Sequence, residues 1–373
     1  MKETEIFIVG AGPGGLTAGI LLAQAGRSVI VADPRVPFEK PCGGGLTPRI
    51  LDYLPIDPRS LPSTRAVRQV RIEWSGADSV DVELPRPLLI TSRRELGAAL
   101  LNRFRAAGGG FIQGKVTDVR AWKKGWTVKL EPNWSVRCRF ILYADGVYGY
   151  SRRRLGHFRD PRNWTRAMGA RVSGEWSRVM IRFEPGMNGY GWVFPRSQGA
   201  SVGVCDDLRS RGPYPLKHWL EAWLRTMGIE VSEFYGYLIP SLWQLKDAFP
   251  VFGPNWVRLG DASGYVDPIT REGIYYAVRM GVHVAQALID HGYPEQVHGW
   301  FHEEVLPEWR WMVRWRRIFF RPIFQQMYRR ALKSARVREL TGRLMVGEVS
   351  YRHLTGQLLG SLVRFSGSAS SGN

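Results

Sequence analysis

The sequence predicts an α/β fold: a nucleotide-binding frame of parallel strands, interrupted by strand-rich stretches and followed by helices. Three observations predict it. A glycine-rich turn stands between a short apolar run and a helical stretch near the start of the chain. Residues 67–84, 111–143 and 166–205 alternate as strands do, with turns expected at Ser75-Gly76, Lys124-Gly125 and Glu131-Pro132-Asn133. Residues 270–291 and 297–365 have helical periodicity.

The frame begins at Ile6-Phe7-Ile8-Val9, an apolar run suited to a parallel strand buried on both faces. It runs into Gly10-Ala11-Gly12-Pro13-Gly14-Gly15, where Gly10, Gly12 and Gly15 have the G-x-G-x-x-G spacing. The first glycine permits a tight turn, the second lets backbone approach a pyrophosphate, and the third lets helix pack closely on strand. The helix runs through Leu21-Leu22 to Gly26, a C-cap residue. A second strand, Ser28 to Ala32, ends at Asp33, whose carboxylate suits ribose hydroxyls while the helix N-terminus faces phosphates. NAD would satisfy this unit as well as FAD.

Two later segments repeat the strand–turn–helix plan. Leu142-Tyr143-Ala144-Asp145-Gly146 is followed by Ser151-Arg152, and Val257 to Gly264 leads to Asp267-Pro268 and Glu272-Gly273-Ile274. Asp261 at its turn can accept hydrogen bonds from ribityl hydroxyls. The helix opening at Gly273 can aim its amides at an electron-rich ring edge.

Composition bounds the rest. The chain has 373 residues and a formal charge of +19, which favours anionic partners. Cys42, Cys138 and Cys205 lie far apart with no CxxC pair, so neither a disulfide framework nor a zinc site is expected, and a reducing cytoplasmic setting fits. The start lacks the basic and apolar pattern of a signal peptide, and no apolar run is long enough for a membrane span. His298 and His302 stand four apart with Glu303 beside them, but no third ligand is placed, so no metal is expected.

Residues 301–365 carry 13 Lys/Arg against 5 Asp/Glu, and aromatics interleave the arginines. Trp311, Trp315 and Ile318 fall on one helical face, and Arg314, Arg317 and Arg321 on another. Such a segment suits an anionic membrane surface, or a packed helical cap with solvated arginines. No nucleic-acid module accompanies the charge, so nucleic-acid binding is not expected.

Taken in order, the three strand–turn–helix segments resemble the FAD-dependent oxidoreductases of the para-hydroxybenzoate hydroxylase-like superfamily. The resemblance implies a Rossmann-type FAD-binding domain (glutathione reductase/para-hydroxybenzoate hydroxylase-like) with an inserted β-rich substrate domain and C-terminal helices. It implies FAD contacts from Gly10, Gly12, Gly14, Gly15, Asp33, Pro34, Cys42, Gly43, Gly44, Arg94, Val116, Asp145, Gly146, Gly260, Asp261, Gly273 and Ile274. Asp33 would bind the adenosine ribose, Arg94 would lie near the pyrophosphate, and Asp261 would bind the ribityl chain. The expected domains are 1–66, 85–165 and 246–295 for FAD, 67–84 and 166–245 for substrate, 296–365 as helices, and 366–373 as a frayed tail.

Pro41-Cys42-Gly43-Gly44-Gly45-Leu46 and Tyr190-Gly191-Trp192-Val193-Phe194-Pro195 are similar to the P-C-G-G loop and the Y-x-W-x-F-P substrate-cavity motif of the geranylgeranyl reductase family. Pro268 to Gly273 resembles that family's P-x-T-G-E-G flavin-edge motif, with Arg271 in place of glycine. The family implies saturation of C=C bonds in prenyl chains of lipids, quinones or chlorophyll precursors. Electrons would come from NADPH or reduced ferredoxin. Strand alternation puts Tyr190, Trp192 and Phe194 on one face, either as a cavity wall beside Gly191 and Pro195 or as ordinary core. Cys42 either only packs or exchanges protons or electrons with the flavin; with Tyr190 and Trp192 it forms the expected catalytic set. Peripheral docking on the inner face of the membrane would serve such a substrate. Flavin monooxygenases and halogenases share the scaffold and form the alternative, though a halogenase usually carries W-x-W-x-I-P. A protein that retains FAD without turnover is a third reading.

Overall fold

The computed structural model describes residues 1–75, 78–154, 161–210, 215–244, 251–292 and 295–357. Gly76, the 245/246 boundary and the tail 366–373 lie outside them. The apolar start forms β1 (Lys2–Val9), the glycine-rich turn opens α1 (Pro13–Gln24), and the chain returns as β2 (Val29–Ala32). Gly26 follows the helix end at φ +76°, as a glycine after a helix C-terminus commonly does. Next come β3 (Gly45–Leu46), β4 (Arg65–Trp74) and β5 (Ser79–Ile90). Ser92 caps α2 (Arg93–Ala106), its hydroxyl accepting from the amides of Arg94 and Glu95. After it come β6 (Gly110–Ile112), β7 (Lys115–Trp122), β8 (Gly125–Glu131), β9 (Trp134–Tyr143) and α3 (Tyr150–Arg154).

A second strand-rich block holds β10 (Trp164–Val172), β11 (Val179–Phe183), β12 (Tyr190–Pro195), β13 (Ala200–Asp207), α4 (Leu216–Arg225) and β14 (Tyr235–Pro240). The chain then returns through β15 (Phe252–Gly253), β16 (Trp256–Arg258) and α5 (Ile274–His291). It ends in α6 (Glu295–Trp300), a π-helical turn at Phe301–Val305, α7 (Leu306–Phe319), α8 (Pro322–Ala331), α9 (Ala335–Met345) and a helical segment at 351–357.

Two sheets result. The first runs β15-β16-β9-β1-β2-β6, parallel except for β15, and the antiparallel β7–β8 pair extends it from β9. The second runs β14-β10-β13-β12-β11-β4-β5-β3 and is antiparallel except between β4 and β11. The chain is therefore mixed α/β, with a largely parallel sheet, a second, largely antiparallel sheet and C-terminal helices. β5 carries residues 85–90 onto the second sheet, past the expected boundary at 84, and β4 starts at Arg65. Helix α4 covers one face of the second sheet through Trp219, Leu220 and Trp223. Helix α9 meets β5 so closely that a Cβ on Gly342 would lie 2.5 Å from the Glu83 carbonyl oxygen.

The C-terminal helices depart from their sequence reading in two ways. Helix α7 buries Trp309, Met312, Val313 and Arg316, so one arginine faces inward; Trp311 and Trp315 are half-buried. His298 and His302 do not share a regular helical face, because α6 gives way to the π turn between them. The His298 ring packs on Phe252 at 4.3 Å, and among the described residues no three metal-ligating side chains cluster.

Helices α1 and α5 touch backbone to backbone. A Cβ on Gly14 would lie 2.5 Å from the Ala277 carbonyl oxygen, and one on Gly281 would lie 2.4 Å from that of Gly14. Gly281→Val is therefore expected to lower stability by about 1–3 kcal/mol, the usual cost of overpacking, read as a fall in Tm. Gly299→Ala, with nothing within 4 Å of its Cβ, is the control and should be neutral or stabilising.

Candidate active site

The parallel strands of the first sheet end together, and the turns after β1, β2, β9 and β16 surround one opening. Open α/β sheets bind ligands at this end. Gly10 there has φ +97°, and a Cβ on it would lie 2.4 Å from the Ala144 carbonyl oxygen, so only glycine fits. Gly12 differs: the nearest heavy atom to its added Cβ is 3.7 Å away, so the cavity side of its backbone is open. Gly12 and Gly273 are the N-caps of α1 and α5, and neither helix has a side-chain cap. Both glycines line the same cavity. Two sets of unpartnered helix amides thus lead into it, as a phosphate and an electron-rich ring edge require.

Asp33 ties two turns together: its carboxylate accepts from the amides of Ala11 (3.0 Å), Arg35 (2.8 Å) and Val36 (3.1 Å). A carboxylate has about four acceptor positions, so room remains for a ligand hydroxyl. Asp145 lines the cavity, but its carboxylate is taken by the Ser151 amide and hydroxyl, both at 2.7 Å, at the start of α3. Burial raises its pKa, with the Ser151 bonds opposing. Gly146 and Gly260 have positive φ; both line the cavity, and Gly14, Gly15 and Ile274 line it too. Asp261 receives Lys40 Nζ at 2.7 Å. Burial works to lower the Lys40 pKa, but the Asp261 charge and hydrogen bond together with Tyr237 outweigh it, so the pKa is raised and Lys40 stays charged.

Four expected cofactor positions are off the cavity wall. Gly10 is one, packed against the Ala144 backbone beneath the turn. Arg94 is exposed and off the cavity wall; its neighbour Arg93 lines the cavity, one step round the helix. Val116 is buried in the core between the β7–β8 pair and the first sheet. Pro34 is also off the wall, turned away while Asp33 faces in.

The loop after Lys40 crosses to the second sheet. A Cβ on Gly43 would lie 2.6 Å from the Phe194 ring, and one on Gly44 (φ +83°) 2.2 Å from the Thr91 carbonyl oxygen. Ser201 Oγ donates to the Cys42 carbonyl oxygen at 3.2 Å, and Trp192 Nε1 donates to Ser201 Oγ at 3.4 Å. Cys42, Tyr190, Trp192, Phe194 and Cys205 all line the cavity. Gly191 instead meets Trp219 and Trp223 on the opposite face of β12, and Pro195 is off the wall. Tyr190 donates its hydroxyl to the Thr270 carbonyl oxygen, and burial raises its pKa well above the usual tyrosine value. Burial also pushes the Cys205 thiol up to about 11.

The segment 267–273, which is similar to the flavin-edge motif, is held at nearly every residue. Asp267 accepts from the Ile269 amide (2.7 Å) and the Tyr351 hydroxyl (3.0 Å). Glu272 accepts from Thr47 Oγ1 at 2.5 Å and pairs with Arg49. Arg271, at φ +61°, reaches Asp207 Oδ1 at 3.2 Å, and Arg316 Nη2 takes Asp207 Oδ2 at 2.6 Å. Sequence reasoning missed Lys40, Arg49, Asp207 and Arg316. Lys40 adjoins the Pro41–Leu46 motif, a usable signal; the others meet only in the folded chain.

The cavity encloses about 620 Å³ and is continuous. From the glycine-rich turn it passes the Tyr190–Trp192 wall and extends under α7–α9, where Phe183, Phe319, Phe324, Tyr328, Leu340 and Leu344 line it.

A family model described as an FAD binding domain matches residues 3–55. The menaquinone reductase of Mycolicibacterium smegmatis is 31% identical over 331 residues, covering 80% of this chain and 79% of that one. The digeranylgeranylglycerophospholipid reductase of Thermoplasma volcanium is 24% identical, covering 80% and 82%. Among solved structures, the flavin-dependent brominase Bmp2 superposes with a TM-score of 0.75 at 18% identity, over 97% of this chain and 100% of that one, which speaks to the fold alone.

Beside this wall, Asp206 is buried on β13 and accepts from the amides of Asn188 and Asp207, both at 2.8 Å. Burial raises its pKa from 3.8 to about 6. The folded state holds this proton more tightly than the unfolded one, so its stabilising contribution is complete below pH 3.8 and lost as pH rises through 6. Asp206→Asn keeps an acceptor for both amides and carries no charge. It should raise stability at pH 7.5 by about 1–3 kcal/mol and leave stability at pH 4 nearly unchanged, read by denaturant unfolding at both pH values.

Proposed function

Because the chain belongs to the geranylgeranyl reductase family of FAD-dependent oxidoreductases, we propose that it saturates C=C bonds of a prenyl chain carried by a quinone or a polar lipid. The observation that carries this reading is the single cavity joining the two helix N-termini to an apolar arm under α7–α9. An isoprenoid chain fits such an arm by burial of apolar surface, at roughly 25 cal/mol per Å².

FAD, when bound and reduced, supplies a hydride to one alkene carbon. The residues of the chain do the rest. In this reading Gly12 and the first turn of α1 receive the pyrophosphate, Asp33 the ribose, and Asp261 with Lys40 the middle of the cofactor. Gly273 and the first turn of α5 face the ring edge that gains negative charge. Cys42, on the Gly43–Gly44 loop, holds the proton for the second carbon on Sγ. Tyr190 and Trp192 flank the alkene and exclude water, and Tyr190, bound to the Thr270 carbonyl oxygen, fixes the wall against the flavin-edge segment. An unactivated alkene has no carbonyl to spread charge, so alignment and dryness dominate the barrier.

We further propose that the protein docks peripherally on an anionic bilayer through α8. Ile323 and Met327 are 75% and 62% exposed on that helix, and Arg321, Arg330 and Lys333 flank them on the surface. Met327 also lines the cavity, so the exposed face and the cavity mouth are continuous. Among the described residues no helix is long and apolar enough to cross a membrane.

Two experiments test these readings. Anaerobic incubation of the dithionite-reduced holoprotein with a menaquinone or a geranylgeranyl lipid should add two mass units per double bond. Oxygen or halide appearing in the product, and only under air, would favour a monooxygenase or halogenase instead. Cys42→Ser should slow single turnover by about 10²-fold or more, the usual share of a positioned acid; an unchanged rate removes the thiol from the reaction. Separately, sedimentation with phosphatidylglycerol vesicles should fall with added salt and be lost in Ile323→Ser/Met327→Ser, while binding to neutral vesicles stays weak.

A further inference from the structure

Arg271 stands where the related motif has glycine, and its backbone keeps the left-handed conformation that glycine adopts freely and other residues rarely do. Such a conformation persists in a residue with a side chain only where the surroundings hold it. The surroundings here are specific. Its Nη2 donates to Asp207 Oδ1 at 3.2 Å and to the Asn188 carbonyl oxygen at 2.8 Å, and its Nη1 donates to Ser241 Oγ at 2.5 Å and to the Pro268 carbonyl oxygen. Arg316, on α7, donates to the other Asp207 oxygen at 2.6 Å and to the Ser241 carbonyl oxygen at 2.8 Å. The three charged side chains are 3%, 5% and 0% exposed. Two arginines from separate elements therefore meet on both Asp207 and Ser241.

We infer that Arg271 is a positioning residue which, through Asp207 and Ser241, clasps the flavin-edge segment 267–273 to Arg316 and so to α7, the roof of the apolar arm. Glycine at this position would permit the same loop conformation but could not reach Asp207. Arg316 lies off the cavity wall, so it acts on the segment only through the clasp. The consequence is coupling: a chain that lifts or settles α7 as it fills the arm changes the segment at the cofactor end, and the reverse. The inference rests on the family reading for the cofactor beside this segment.

The test uses amide hydrogen exchange on the purified full-length holoprotein, with the bound-flavin absorption spectrum as a second readout. Arg316→Met should raise exchange in 267–273 about tenfold and shift the flavin spectrum, although it touches neither the segment nor the cavity. Arg271→Gly should raise exchange in 306–319 similarly, and the double variant should be no worse than the more severe single one. Effects confined to each variant's own segment, adding in the double variant, would overturn the clasp. Should either truncation fail to fold, Arg271→Lys and Arg316→Lys keep the charge but lose the two-pronged contact; they should give the same crossed effects at smaller size, and their absence overturns it equally. Exchange can be read on protein without flavin. Loss of the crossed effects with flavin still bound therefore counts against the clasp alone, whereas a chain that binds no flavin counts against the family reading.

Discussion

The contact on which the site depends is the bare backbone approach of α1 to α5. Side chains at Gly14 and Gly281 would collide with carbonyl oxygens, so only glycine lets the helices close. Their closeness brings two N-termini to one cavity from different parts of the sequence, residues 12–15 and 273–277. Each terminus presents amides that have no partner within its helix. Phosphate charge and the charge of a reduced ring need such donors at a fixed separation, and a rigid contact between helices fixes it where loops could not. The second sheet is held against the same cavity, because the Gly43–Gly44 loop packs against Phe194 and Thr91 with the same economy of side chains.

Much of this was legible in the sequence. The strand–turn–helix units at Gly10, Asp145 and Asp261 are local patterns, and local patterns survive without knowledge of the fold. The alternation of Tyr190, Trp192 and Phe194 likewise reads directly as one face, and all three line the cavity. Illegible parts are those decided by distant partners. Asp145 looks like a ligand group, yet Ser151 occupies its carboxylate. Arg94 and Arg93 are equivalent in sequence, and only the rotation of α2 puts Arg93 on the wall. Val116 depends on how the β7–β8 pair packs on the first sheet, which spacing does not encode.

The charge of the chain shows the same limit. A basic, aromatic C-terminal stretch reads as a surface, and α8 is one, with Ile323 and Met327 exposed. Helix α7 is one only in part: Arg310, Arg314, Arg317 and Ile318 are exposed, but Arg316 is fully buried, and Trp315 donates through Nε1 to the Tyr351 carbonyl oxygen at 3.2 Å. Burial lowers the Arg316 pKa to about 10, against the pull of Asp207, so the guanidinium remains charged at neutral pH. A buried charge must be answered by its neighbours, and Asp207, Ser241 and Arg162 supply acceptors for the two terminal nitrogens of Arg316, while its Nε has no hydrogen-bond partner among the described residues.

That requirement explains why polar networks edge an otherwise apolar chamber. The proposed reduction of an isolated alkene would need a dry site, yet the cofactor and the proposed proton source are polar and would have to be held. The fold separates the two demands along one cavity. At the cofactor end, Glu272 is bound by Thr47 and Arg49, Asp267 by Tyr351, and Asp261 by Lys40, so polar groups reach the wall already partnered. Beyond Tyr190 the wall turns to aromatic and aliphatic side chains from the second sheet and α7–α9. Water entering that arm would find few partners, whereas an apolar chain would lose none there. The glycine of the related motif would leave the flavin-edge segment free of this second layer; Arg271 joins it to the roof, so the dry arm and the polar end hold their shape together.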